Sequence, residues 1–158
     1  MEPIAYLDRV KIQCEILLPL YRRLRAEIGE ARAAELLRAA VDEYARGVGA
    51  AAAAATPGHP LDTLRSLMPM FTAGEALEVE PLANDDETLA MNVRRCKYAE
   101  YFQALGETEF GAMITCEMDP PMTAGIGDAL ELQRSQTLLK GGTHCDFRWR
   151  TKDGDAGK

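Results

Sequence analysis

The sequence is poor in the residues that build the commonest metal sites and membrane spans. There are two histidines, His59 and His144, and four cysteines, Cys14, Cys96, Cys116 and Cys145, with no C-x-x-C pair among them. Such spacing excludes the usual zinc-finger patterns. The longest stretch without a formal charge, Gly47 to Leu61, is Ala-rich and broken by Gly and Pro. It cannot supply the roughly 18 to 20 apolar residues of a membrane span. No basic segment followed by an apolar run opens the chain, so no secretory signal is expected and a cytoplasmic location is. There the four thiols stay reduced and are not a disulfide framework. Basic excess is missing too: 18 Lys and Arg stand against 25 Asp and Glu, a net charge of −7. A chain without a basic stripe to neutralise phosphates is not expected to bind nucleic acid.

What is present is an ordinary globular composition, 47% hydrophobic and 27% charged over 158 residues. That length suits one domain with a core large enough to need no covalent or metal staples. Charge is segregated. Residues 1–56 are neutral overall, 57–131 carry four basic and fourteen acidic residues, and 132–158 carry six basic and three acidic. Thirteen of the basic residues are Arg, the side chain suited to a bidentate grip on a carboxylate.

The periodicity predicts three helices first. Residues 8–29 place Val10, Ile12, Ile16, Leu17, Leu20, Tyr21, Leu24 and Ile28 near helical spacing, with Pro19 as a kink point. Residues 30–55 repeat the pattern through Ala34, Leu37, Val41 and Tyr44, with Gly47 and Gly49 weakening the distal turns. After the linker Thr56 to Pro60, residues 61–73 form a third helix with Asp62 and Thr63 as caps and Leu64, Leu67, Met68 and Phe71 inside. From Leu77 the period changes to two. Leu77 to Glu80 and Leu89 to Val93 form a hairpin across the turn Asn84 to Glu87. Two short helices, Tyr98 to Leu105 and Glu107 to Glu117, end at Asp119-Pro120-Pro121; a glycine-containing loop follows, then strands Leu130 to Leu138 and Cys145 to Arg150. The expected fold is α+β: N-terminal helices packed on an antiparallel sheet of about four strands, with two short helices inserted. Residues 1–74 form the helical part of a single domain, 75–151 the sheet part, and 152–158 a disordered tail. Two long helices with apolar faces also suit a homodimer.

Several residues could carry chemistry. Alternation in 145–150 sends Cys145, Phe147 and Trp149 to one face and His144, Asp146, Arg148 and Arg150 to the other. His144 and Cys145 therefore do not act together, while Asp146 and Arg148 either hold a substrate or pair with each other. Arg134 and Gln136 fall on the apolar face of their strand, as in a partly buried polar pocket or as an Arg that snorkels to water. Cys116 and Asp119 share one helix face at its C-terminal end. Cys14 reads as structural.

Ordered motifs run through the last two fifths of the chain: Asn92-Val93-x-Arg95-Cys96-x-Tyr98-Ala99-Glu100, Leu105-Gly106, Cys116-x-x-Asp119, Arg134-x-Gln136-Thr137-Leu138, and Gly142-x-x-Cys145-Asp146-Phe147-Arg148. This series resembles the family of L-2-amino-thiazoline-4-carboxylic acid hydrolases. The resemblance implies hydrolytic opening of a cyclic amidine, yielding a carbamoyl-cysteine, with a carboxylate-bearing small molecule as substrate and no cofactor. It implies Cys116 as nucleophile, Asp119 or Asp146 as acid and base, Arg148 with Arg95 or Arg134 as carboxylate clamps, and Asn92 as a donor to the ring. A zinc bound by Cys96, Cys116 and Cys145, with Asp119 or His144 as fourth ligand, is the alternative use of the thiols. The rival function is a non-enzymatic sensor of small ligands, similar to the 4-vinyl reductase domain; a third is a module that docks through its Ala-rich helix. A polar, Arg-lined pocket marks the hydrolase, a larger apolar one the sensor, and an exposed apolar helix face the docking module.

Overall fold

Glycine and proline set the element boundaries in the computed structural model, which describes residues 4–152. Helix α1 (Tyr6–Ile28) ends at Gly29, which adopts a positive φ, and α2 (Glu30–Ala55) begins beside it. Helix α3 (Pro60–Thr72) has Pro60 in its first turn, where a missing N–H costs nothing. Its cap is His59, whose Nδ1 accepts from the Leu61 amide at 3.4 Å, and not Asp62 or Thr63 as expected. Strands β1 (Leu77–Asn84) and β2 (Thr88–Cys96) form the hairpin, followed by α4 (Lys97–Leu105) and α5 (Thr108–Ile114). After a single 3-10 turn, Cys116–Met118, comes α6 (Asp119–Ile126), then β3 (Leu130–Gln133) and β4 (Cys145–Thr151). All pairings are antiparallel in the order β1-β2-β4-β3, so the α+β expectation holds.

Three local expectations are overturned. Asp119-Pro120-Pro121 starts a helix where a stop and a loop were expected, because prolines in a first turn forgo only amides that have no helical acceptor. The strand expected to run to Leu138 ends at Gln133. Beyond it the amides of Ser135 and Gln136 donate to the Asp146 carboxylate at 2.8 to 3.1 Å and no longer to a neighbouring strand. Helix α1 buries Tyr6, Leu7, Val10, Cys14, Leu18 and Tyr21, a stripe different from the expected one. Ile12, Ile16 and Leu20 are left in solvent. They are the apolar surface available to the homodimer that the sequence suggested. Of the expected tail, Lys152 donates its amide to the Ala129 carbonyl at 2.7 Å, and residues 153–158 lie outside the described part.

The Ala-rich end of α2 stays helical to Ala55 and crosses α6 at backbone distance. A Cβ on Gly49 would stand 2.8 Å from the Ile126 nitrogen and closer still to the Met122 carbonyl. One on Gly125 would stand 2.9 Å from the Arg46 carbonyl carbon and closer to its oxygen. These glycines, read in the sequence as weak points, are what permits the crossing. Trp149 fastens the same helix to the sheet, donating from Nε1 to the Thr123 hydroxyl at 3.0 Å.

Candidate functional site

Between one face of the sheet and the elements α1, α3 and α6 lies a cavity of about 100 Å³. Its wall is mostly apolar. The sheet contributes Met91, Val93, Phe147 and Trp149, the helices Tyr6, Met68, Phe71 and Met122. The two tyrosine hydroxyls at its edge are spoken for: Tyr6 donates to the Met118 sulfur at 3.6 Å and Tyr98 to the Phe71 carbonyl at 3.2 Å.

Against this lining stand one ion pair and three thiols. Arg134 donates through Nη1 to Asp119 Oδ2 at 2.5 Å and through Nη2 to the Cys116 carbonyl at 2.9 Å, and its guanidinium lies 5.1 Å from the centre of the Phe147 ring. Its planar fork therefore bridges the 3-10 turn and the first turn of α6. Burial pushes the Asp119 carboxyl up to about 6, against the opposing pull of Arg134. A carboxyl carbon titrating with a midpoint near 6 in an NMR pH series is the expected signature of this arrangement, and a midpoint below 4 would remove it. The cavity thiols are the reverse of activated. Burial, with Asp119 adding to it, pushes Cys116 up to about 11; burial pushes Cys96 up to about 12 and raises Cys145. All are neutral near pH 7.

The sequence model of the family described as L-2-amino-thiazoline-4-carboxylic acid hydrolase matches residues 9–149, nearly the whole chain. The chain belongs to that family. No curated protein matches it. Among solved structures it is similar to the phenol-responsive sensory domain of the transcription activator PoxR with phenol, at 14% identity over 96% of this chain and 76% of that one, with a TM-score of 0.54. It is also similar to trafficking protein particle complex subunit 3 from Naegleria fowleri, covalently bound to palmitic acid, at 13% identity over 90% of this chain and 97% of that one, with a TM-score of 0.49. At such identities the first likeness shows a shared fold and nothing more.

The thiazoline-hydrolase motifs divide between the two faces of the sheet. Cys96, Cys116, Asp119, Arg134 and Cys145 line the cavity. Asn92, Asp146 and Arg148 do not. Arg148 donates to the Met91 and Phe147 carbonyls at 2.8 Å and to Asn92 Oδ1 at 2.9 Å, while Asn92 donates to Glu80 at 3.0 Å. This network ties β1, β2 and β4 together on the opposite face. The pairing of Asp146 with Arg148 expected from their spacing does not form. Asp146 instead accepts from the Ser135 hydroxyl at 2.5 Å and from the Ser135 and Gln136 amides. Burial alone would raise its carboxyl, but these donors outweigh it and hold the group at about 2. Its carboxylate thereby ties β4 to the two residues that follow Arg134. Arg95 is on the surface, paired with Glu100 at 2.5 and 3.1 Å. One of the three expected clamps therefore reaches the cavity.

The three cavity thiols do not gather into a ligand set: among the described residues no group of three or more His, Cys, Asp or Glu is placed to hold a metal ion. Among the described residues no helix is long and apolar enough to cross a membrane. Sequence reasoning missed Tyr6, which precedes the expected start of α1, and Met122, which falls in the expected loop. The spacing of Tyr6 and Leu7 from Val10 and Cys14 was the available signal for the first; the second had none.

Proposed function

We propose that the cavity binds a small ring-shaped molecule with a carboxylate and that it opens a cyclic amidine by hydrolysis, the chemistry for which the family is named. The observation that carries this reading is the Asp119 and Arg134 pair, set beside Cys116 in an otherwise apolar cavity. An internal cavity of roughly 150 Å³ accepts benzene. One of about 100 Å³ whose wall includes Met68, Met91, Met118 and Met122 has flexible side chains that yield to a single ring. Arg134 keeps three N–H groups beyond those given to Asp119 and Cys116, enough to receive a carboxylate.

With its carboxyl raised to about 6, Asp119 is ionised at neutral pH yet basic enough to take a proton from water. The water oxygen bonds to the ring carbon between sulfur and nitrogen as one water proton goes to Asp119; the ring C–S bond then breaks, the Asp119 proton passes to the departing sulfur, and the remaining O–H proton moves to the ring nitrogen, which leaves the carbamoyl group. The neutral Cys116 thiol favours this activated-water route over a covalent one. Turnover of L-2-amino-thiazoline-4-carboxylate, followed as carbamoyl-cysteine by mass spectrometry, is the test. Asp119→Asn is expected to lose about a hundredfold or more of kcat, whereas Cys116→Ser keeps it within about tenfold. The rate should rise with pH through about 6 as Asp119 ionises. Abolition by Cys116→Ser would instead select the covalent route.

A second reading, binding without turnover, is favoured by the apolar lining and by Asp119 neutralising the one Arg in the cavity. Thermal stabilisation by phenol or another neutral ring compound, with no product from the thiazoline, would select it.

A further inference from the structure

We propose that molecules reach the cavity between Met68 and Met91, and that these two side chains set the width of what is admitted. The inference rests on the cavity being a binding site. A second hollow, of about 390 Å³, lies on the outer side of this wall, between α3 and the β1–β2 hairpin. Met68 and Met91 line both spaces and are the residues common to them. Each is partly buried, an unbranched side chain with three rotatable bonds that swings without moving backbone.

The backbone on either side of this pair is short of hydrogen bonds. Pro69 sits inside α3 directly after Met68, so the Arg65 carbonyl one turn back receives no helical amide from it. Pro81 stands opposite Met91 in the hairpin, where it brings no N–H to the ladder, and the register slips between Pro81 and Ala83. The slip leaves Leu82 half exposed on β1, an edge strand. The proline-interrupted turn of α3 and one of the two register slips of the hairpin therefore face each other across the two methionines. Elsewhere the wall is fastened by Arg134, which is bonded to Asp119 and Cys116, while Phe147 lies beside Met91 as its cross-strand partner.

The cavity thiols report on this route without any substrate. N-ethylmaleimide is added to the full chain, and labelling of Cys116 and Cys145 is timed by peptide mass spectrometry. Cys14, buried in the α1 core and absent from the cavity wall, records any global opening. Met68→Ala combined with Met91→Ala is expected to label Cys116 and Cys145 about tenfold faster, and Met68→Phe combined with Met91→Phe about tenfold slower, with the Cys14 rate unchanged. Should the wider side chains prevent folding, the alanine pair decides alone. Cavity rates unmoved by the substitutions, or moving only in step with Cys14, would overturn the route. Labelling requires no ring opening, so this outcome is separate from that of the turnover assay.

Discussion

Arg134→Ala is expected to remove roughly 3 to 5 kcal/mol of stability at pH 7, the range for stripping one partner from a buried ion pair. The side chain is 12% exposed and Asp119 17%, so water offers the abandoned carboxylate little compensation. The loss also includes the bond to the Cys116 carbonyl and the contact with the Phe147 ring. For a chain of this length the melting temperature should fall by on the order of 10 °C. The sign of the pH dependence follows from the same carboxyl. Without Arg134 the Asp119 proton is held to higher pH than in the natural protein, where it leaves near 6. Below that pH both proteins carry a neutral Asp119, so the deficit should shrink as pH falls from 7 to 5. Pairing Arg134→Met with Asp119→Leu should restore most of the stability while abolishing activity, because well-packed apolar replacements of a buried pair are close to neutral. Chemical denaturation of the three proteins at the two pH values checks all of this, and a single-variant loss under about 1 kcal/mol would show the pair to be solvated.

A comparable effect is expected from a far smaller change, Gly49→Ala. By intrinsic propensity alone it should stabilise α2 by roughly 1 kcal/mol. Instead the new methyl meets the backbone of α6 at Met122 and Ile126, which cannot swing aside as a side chain can. The two helices must separate, and the expected net cost is roughly 3 kcal/mol, with the larger Gly49→Val worse. Gly47→Ala is the control. Nothing lies within 4 Å of its missing Cβ, so there the propensity gain should appear as a stabilisation of up to about 1 kcal/mol. Opposite signs two residues apart on one helix would confirm the crossing; equal signs would dismiss it.

Much of this architecture was legible where one periodicity dominates. The hairpin, the first three helices and the alternation of Cys145, Phe147 and Trp149 against Asp146 and Arg148 follow directly from spacing. Helix α1 was harder because apolar residues surround it, and only packing against α2, α4 and α5 selects the Tyr6 to Tyr21 stripe over Ile12, Ile16 and Leu20. Helix α6 was hidden because two prolines signal an ending or a beginning equally well. The segment after Gln133 kept a strand pattern on paper, yet one carboxylate from β4 captures its amides. At the site, the motifs gave the right stretches but pooled two faces. Cross-strand pairing of Asn92 with Asp146 and of Val93 with Cys145 separates the groups that brace the sheet from those that line the cavity.

The bond from Asp146 to residues 135 and 136 has a consequence for the thermodynamics of recognition. With its carboxyl held at about 2, it stays charged at every physiological pH, and the stretch after Gln133 stays pinned whether or not the cavity is filled. On the reading proposed above, an incoming carboxylate would meet a guanidinium already held by Asp119 and the Cys116 carbonyl. On that reading, recognition by the guanidinium would be lock-like, with adaptation left to Met68 and Met91.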